Sequence, residues 1–79
     1  MSRVIRTPRH EALRAFVTAT RKKKGLRQVD LAELLGRNQS YVTDIETGTK
    51  IIGAVELIEL ADALDFDPAA ALRKIRMLK

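Results

Sequence analysis

The chain has 79 residues, 46% of them hydrophobic, and a formal net charge of +5. This length suits one small domain, and the lack of cysteine with a single histidine excludes a disulfide framework and a zinc site of Cys and His ligands. No apolar run approaches the ~20 residues of a membrane span, and no hydrophobic region follows the N-terminal arginines as it would in a secretory signal. We therefore expect a cytoplasmic protein without a metal or cofactor.

The basic residues are concentrated in the first third of the chain. Residues 1–27 carry nine Lys or Arg and one acid, whereas residues 28–79 carry six basic and nine acidic residues. A basic segment beside a nearly balanced body is typical of a surface that contacts a polyanion. Residues 1–7 have no helical periodicity, so we expect a flexible basic arm there and one domain over residues 8–79. The arm either contacts the polyanion or is a solvated tail.

Apolar residues at helical spacing predict five helices and no strand. Thr7-Pro8 and Asp67-Pro68 pair a capping residue with proline, which marks the start of the first and last helices. The first three helices are each followed by a glycine: Gly25, Gly36 and Gly48. The predicted helices cover about residues 8–24, 28–35, 39–47, 54–64 and 68–78.

The second and third predicted helices have the pattern of a helix-turn-helix. Gly36 allows a positive backbone angle in the tight turn, and Asn38 can cap the third helix by accepting a hydrogen bond from a free backbone N–H. Ala32 is small enough to let the two helices cross closely. Val42 and Ile45 anchor the third helix to the core, which leaves its polar residues outside. A helix-turn-helix presents such a face to the major groove of DNA.

The outward residues of the third helix suit base recognition. Gln39 can bond adenine N6 and N7 in bidentate fashion, Ser40 can donate or accept, and Thr43 can offer its methyl group to thymine. Asp44 can accept from cytosine N4, although it would repel nearby phosphates. For each residue the alternative interpretation is an ordinary solvated polar side chain. The predicted base-reading residues are Gln39, Ser40, Thr43 and Asp44.

Phosphate contacts are expected from residues that flank this face. Gln28 opens the second helix, where free N–H groups and the helix dipole favour an anion. Phosphate contacts fix register and supply salt-sensitive affinity, whereas base contacts supply sequence preference. The predicted phosphate-binding residues are Arg27, Gln28, Arg37, Asn38, Tyr41, Thr47 and Lys50.

Together these features resemble the lambda-repressor-like family, also called the XRE or Cro type of helix-turn-helix regulator, over about residues 12–78. The resemblance implies an all-α, five-helix DNA-binding domain that usually acts as a dimer on a two-fold-related operator. It assigns the same base-reading positions and a structural pair between Arg21 and Glu46. The matching residues are Arg21, Gly25-Leu26, Gln28, Leu31-Ala32, Leu35-Gly36, Tyr41-Val42, Ile45-Glu46, Gly48 and residues 60–64. The departures from the family pattern are Thr20, Arg37, Ile52 and Asp65.

The predicted function is sequence-specific transcriptional regulation, as a repressor or autoregulator associated with the nucleoid. One short recognition helix reads only a few base pairs, so we expect a homodimer on double-stranded DNA. The fifth helix is the predicted interface, through Leu72, Ile75 and Leu78.

An antitoxin and an enzyme are the alternative classes of function. An antitoxin would bind a toxin through the fifth-helix stripe or Val29 and would bind DNA secondarily. An enzyme is disfavoured, because one histidine, no cysteine and no glycine-rich phosphate loop provide no clear catalytic set. Glu56, Glu59 and Asp62 share a polar helix face and are interpreted as solvated. No catalytic residue is therefore assigned.

Overall fold

The computed structural model describes residues 7–78, which form five α-helices and, within that range, no strand. The helices are α1 (Pro8–Lys23), α2 (Gln28–Leu35), α3 (Gln39–Thr47), α4 (Ala54–Leu64) and α5 (Pro68–Arg76). The predicted all-α, five-helix architecture is confirmed. The predicted arm, residues 1–7, lies outside the described residues except for Thr7.

Two helices begin at the predicted pairs of capping residue and proline. Thr7 Oγ1 accepts from the backbone N–H of His10 at 3.2 Å, and Asp67 Oδ1 accepts from that of Ala69 at 2.9 Å. Both bonds satisfy N–H groups that have no acceptor inside the first turn of a helix. The predicted starts of α1 and α5 are therefore confirmed.

Helix ends depend on residues in the left-handed backbone region. Gly36 has φ 67° and closes α2, with the N–H of Arg37 donating to the Ala32 carbonyl at 2.9 Å. Asp65 ends α4 at φ 57°, a left-handed conformation that is less favourable for a residue with a Cβ than for glycine. The fifth helix ends at Arg76, two residues before the predicted end, because Leu78 N–H donates to the Ile75 carbonyl in a tighter turn.

The core lies where all five helices meet. Helix α2 packs against α3 and α4, while α1 packs against α3, α4 and α5. The rings of Phe16 and Phe66 meet edge to face, with centroids 5.0 Å apart. Ala32 is 1% exposed, as its predicted place at the crossing of α2 and α3 requires. The buried apolar residues are Leu13, Val17, Leu31, Ala32, Val42, Ile45, Ile52, Leu57, Leu60, Ala61, Leu64 and Ala71.

Within residues 7–78, none of the helices combines the length and apolar character needed to cross a membrane. The same residues contain no cluster of three or more His, Cys, Asp or Glu side chains placed to hold a metal ion.

Candidate nucleic-acid interface

Helix α3 is held in the core along one side and carries its polar residues on the other. Val42 and Ile45 are each 1% exposed, so the predicted anchoring is confirmed. Gln39 and Ser40 are exposed, and Thr43 and Asp44 are half-buried. The four predicted base-reading residues therefore lie along the outer side of α3, mostly in its N-terminal half.

Asn38 occupies the N-cap position of α3, but its side chain does not perform the predicted capping. Within the described range Asn38 makes no side-chain cap bond to a backbone N–H. Its Oδ1 instead accepts from the hydroxyl of Ser40 at 2.7 Å, and the N–H of Tyr41 donates to its backbone carbonyl at 3.2 Å. The predicted capping bond was wrong, because the Asn38 side chain is directed to the Ser40 hydroxyl and not to a backbone N–H of the first turn. The hydrogen of Ser40 is thereby committed to Asn38.

A buried ion pair lies directly behind the recognition helix. Arg21 on α1 donates from Nε to Glu46 Oε2 at 2.7 Å and from Nη2 to Glu46 Oε1 at 3.0 Å. Its Nη1 also donates to the Leu26 carbonyl at 2.7 Å. The two side chains are 8% and 6% exposed. The pair implied by the family resemblance is thus confirmed, and it joins the end of α3 to α1.

Gln28 connects this ion pair to the reading face. Its Nε2 donates to Glu46 Oε1 at 2.9 Å. Its Oε1 accepts from the Thr43 hydroxyl at 2.8 Å and, over a longer 3.4 Å, from Gln39 Nε2. The sequence predicted a phosphate contact for Gln28 but not this contact with two base-reading residues. The contact depends on the geometry at which α2 and α3 cross, and the local sequence pattern does not predict that geometry.

A second polar cluster surrounds Tyr41. Its hydroxyl donates to Glu56 Oε2 at 2.9 Å, the guanidinium of Arg37 lies 4.7 Å from the ring centroid, and Lys50 Nζ lies 5.6 Å from it. Lys50 Nζ also pairs with Glu56 Oε2 at 3.0 Å. Three predicted phosphate-binding residues are therefore brought together, and Arg37 stacks on an aromatic ring as guanidinium groups do.

Glu56 does not belong to the solvated face predicted for it. It is half-buried and accepts from the N–H of Gly53 at 2.8 Å, in addition to Tyr41 and Lys50. These bonds, that from Gly53 first, hold the pKa of Glu56 below its usual value. Burial raises the pKa of Tyr41 to about 12, and its bond to Glu56 acts in the same direction. The sequence does not indicate this role of Glu56, because Tyr41 and Lys50 come from outside α4.

The remaining predicted phosphate contacts lie at the ends of the two helices. Arg27 precedes α2 with an exposed guanidinium, whose Nη2 pairs with Asp30 Oδ1 at 2.9 Å. Thr47 ends α3, and its Oγ1 lies 3.1 Å from that of Thr49. The backbone N–H of Lys50 donates to the Asp44 carbonyl at 3.0 Å, which holds the following loop against α3. These groups flank the reading residues on the same helix-turn-helix unit.

The predicted protein-contact surface on α5 is divided. Leu72 is 49% exposed and Leu78, just after the helix, is 40% exposed, whereas Ile75 is partly buried against the core. Val29, the other candidate contact, is half-buried on α2. Two of the three residues predicted for the α5 interface therefore present apolar surface.

Comparison with known families agrees with this architecture. The family model described as "Helix-turn-helix domain" matches residues 6–73, which include α2, the turn and α3. This chain belongs to the helix-turn-helix family. The family is one of DNA-binding regulators, and the helix-turn-helix unit here consists of α2 and α3.

Solved structures place the chain among XRE-type helix-turn-helix proteins. An XRE-family like protein from Pseudomonas syringae pv. tomato str. DC3000 is 30% identical, with a TM-score of 0.82 over 90% of this chain and 87% of that one. The clp gene regulator ClgR from C. glutamicum is 27% identical, with a TM-score of 0.78 over 90% and 92%. The restriction-modification controller protein C.AhdI from Aeromonas hydrophila is 34% identical, with a TM-score of 0.71 over 78% and 94%. The resemblance to this family is confirmed. The curated protein sequences contain no significant match to the chain.

Proposed function

We propose that this helix-turn-helix protein is a sequence-specific transcriptional regulator, a repressor or autoregulator, that inserts α3 into the DNA major groove as a homodimer. The observation that carries the proposal is the row of polar residues on α3 opposite Val42 and Ile45, which fix the helix in the core. A helix held in this way projects hydrogen-bonding groups from a rigid body, which major-groove reading requires.

The chemistry of α3 supports base reading. Exposed Gln39 carries the N–H and carbonyl that together match adenine N7 and N6. The Ser40 hydroxyl donates its hydrogen to Asn38, so its oxygen is available to accept from adenine N6 or cytosine N4. The carboxylate of Asp44 can accept from cytosine N4.

The surroundings of α3 support phosphate binding on its flanks. Arg37 and Lys50 lie against the ring of Tyr41, and the first turns of α2 and α3 offer backbone N–H groups to an anion. Glu56 holds the Tyr41 hydroxyl, so a phosphate that bonds this hydroxyl must compete with that carboxylate. The same carboxylate pairs with Lys50, so Arg37 is the main cationic contact in the proposal.

Base recognition is tested by selecting bound DNA from a random pool and then measuring the affinity of variants for the selected operator. Gln39→Ala with Ser40→Ala should weaken operator binding by about 5- to 100-fold, the range for lost base contacts, while binding to unrelated DNA changes little. Ile58→Ala, a change at an exposed α4 position that likewise leaves the net charge unchanged, is the control. Unchanged operator affinity in the double variant would contradict the proposal.

Phosphate contacts are tested by the dependence of affinity on salt. Arg37→Ala should weaken binding to all sequences alike and reduce the slope of log affinity against log salt by about 1. A loss confined to particular operator bases would instead make Arg37 a base-reading residue. Binding that keeps both its strength and its slope would remove Arg37 from the interface.

The homodimer is supported by the exposed leucines on and after α5. Two copies can place their α3 helices one turn of DNA apart, about 34 Å, and so combine the readings of two half-sites. Leu72→Ser with Leu78→Ser should shift the protein to monomer in sedimentation and weaken operator binding. Leu34→Ser on α2, where the side chain is 59% exposed, is the matched control. A wild-type protein that stays monomeric both free and on DNA would refute the dimer. The relatives give no support to a toxin partner.

A further inference from the structure

The orientation of the Gln28 side-chain amide is determined by the charge behind it. Glu46 is held by Arg21 through two bonds, and as a carboxylate it can only accept hydrogen bonds. The Gln28 atom that faces Glu46 Oε1 at 2.9 Å must therefore be the donor, Nε2. The reversed amide would place a carbonyl oxygen against a carboxylate. The carbonyl of Gln28 consequently points towards α3.

This orientation decides what Thr43 can offer to a base. A carbonyl oxygen only accepts, so the single hydroxyl hydrogen of Thr43 is committed to Gln28 Oε1 at 2.8 Å. The lone pairs of the Thr43 hydroxyl remain as acceptors. Donors in the major groove are adenine N6 and cytosine N4, whereas guanine N7 and O6 and thymine O4 are acceptors.

The same amide leaves Gln39 with a different set of groups. One N–H of Gln39 points to Gln28 Oε1 over 3.4 Å, so its other N–H and its carbonyl remain. One donor and one acceptor are the set that a bidentate adenine contact uses. The Gln28 amide is thus compatible with the adenine contact of Gln39, while it restricts Thr43 to the acceptor role.

We infer that Gln28 is a specificity-determining residue that, held by Glu46, restricts Thr43 to bases with a major-groove donor; the inference rests on the proposed function. An A·T pair suits Thr43 best, because its adenine N6 donates to the hydroxyl and its thymine presents a methyl group for the methyl of Thr43. Gln28 acts through Thr43 and Gln39 and so differs from a residue that only binds phosphate.

The test compares base preference at each operator position, starting from the operator that the wild-type protein selects. Thr43→Val keeps the shape and methyl group but removes the hydroxyl, and the position where it reduces discrimination identifies the base under Thr43. Gln28→Met removes the amide and frees the Thr43 hydrogen to donate. At that position the wild-type preference for adenine or cytosine over guanine or thymine should fall by about 3- to 10-fold, the worth of one hydrogen bond.

The outcomes separate this role from simpler ones. Loss of a phosphate contact by Gln28→Met would weaken binding equally for all bases, and that result would overturn the inference. A Thr43→Val variant with unchanged preference at every position would also overturn it. Gln28→Ala should reduce the base preference at this position as much as Gln28→Met does. Circular dichroism checks that both variants are folded. A wild-type protein that selects no operator would refute the proposed function itself.

Discussion

Replacement of Glu46 by alanine leaves the Arg21 guanidinium in the interior without its carboxylate. Both side chains are less than a tenth exposed, and Arg21 would keep its bond to the Leu26 carbonyl. Breaking a buried ion pair by removing one partner costs about 3–5 kcal/mol, mainly because the remaining charge stays desolvated. We expect Glu46→Ala to lower the free energy of unfolding by an amount in this range.

That loss is large for a domain of this size. At about 0.05–0.15 kcal/mol per residue, a 79-residue chain has roughly 4–12 kcal/mol of total stability. Each kcal/mol shifts the melting temperature of a small domain by about 4–8 °C, so Glu46→Ala should melt at least about 12 °C below the wild-type protein. Urea denaturation and thermal melting followed by far-UV circular dichroism measure both quantities.

A double variant separates the uncompensated charge from the loss of packing. Arg21→Met with Glu46→Leu removes both charges and keeps apolar volume, so it should recover most of the stability lost in Glu46→Ala. The exposed substitution Glu59→Ala is the control and should change stability by less than about 0.5 kcal/mol. A cost under about 1 kcal/mol for Glu46→Ala, or a double variant as unstable as the single one, would rule out the uncompensated buried charge as the cause.

Changes at three further positions test other parts of the fold by urea denaturation. His10 Nε2 accepts from the N–H of Ile52 at 3.1 Å, and burial followed by the charge of Arg14 lowers the pKa of His10. The stability that neutral His10 contributes is therefore fully present above the unfolded pKa of about 6.5. This stability is lost as the pH falls from there through the lowered pKa of the folded state. His10→Gln keeps an acceptor without this titration and should flatten stability between about pH 7 and 5; an unchanged pH profile would contradict the role. Gly36→Ala should cost about 1 kcal/mol through its backbone alone, since a Cβ at this φ of 67° would meet nothing within 4 Å, and Gly36→Asn should cost less. Asp65→Gly should raise stability by about 0.5 kcal/mol by relieving φ 57°, and a loss would show that the Asp65 side chain has a compensating role.

Most helix boundaries were predictable because their signals are local. Thr7 and Asp67 accept from N–H groups two or three residues away, and Gly36 reverses the chain through its own backbone angle. The end of α5 was misplaced because apolar Met77 and Leu78 continue its pattern without a helix breaker. Asn38 was misjudged because the hydroxyl of Ser40 competes for its side chain within the same turn.

By itself, the sequence determined the five helices, the helix-turn-helix and the polar face of α3, since periodicity and capping act over a few neighbouring residues. The tertiary structure alone decided that Gln28 joins Glu46 to Thr43 and that Glu56 holds Tyr41. These partners are 15 or more residues apart in the chain, and their contacts depend on the angle and depth at which helices pack. Local helix propensity does not predict that packing. Burial of apolar surface drives the packing, and it does not specify which polar groups meet.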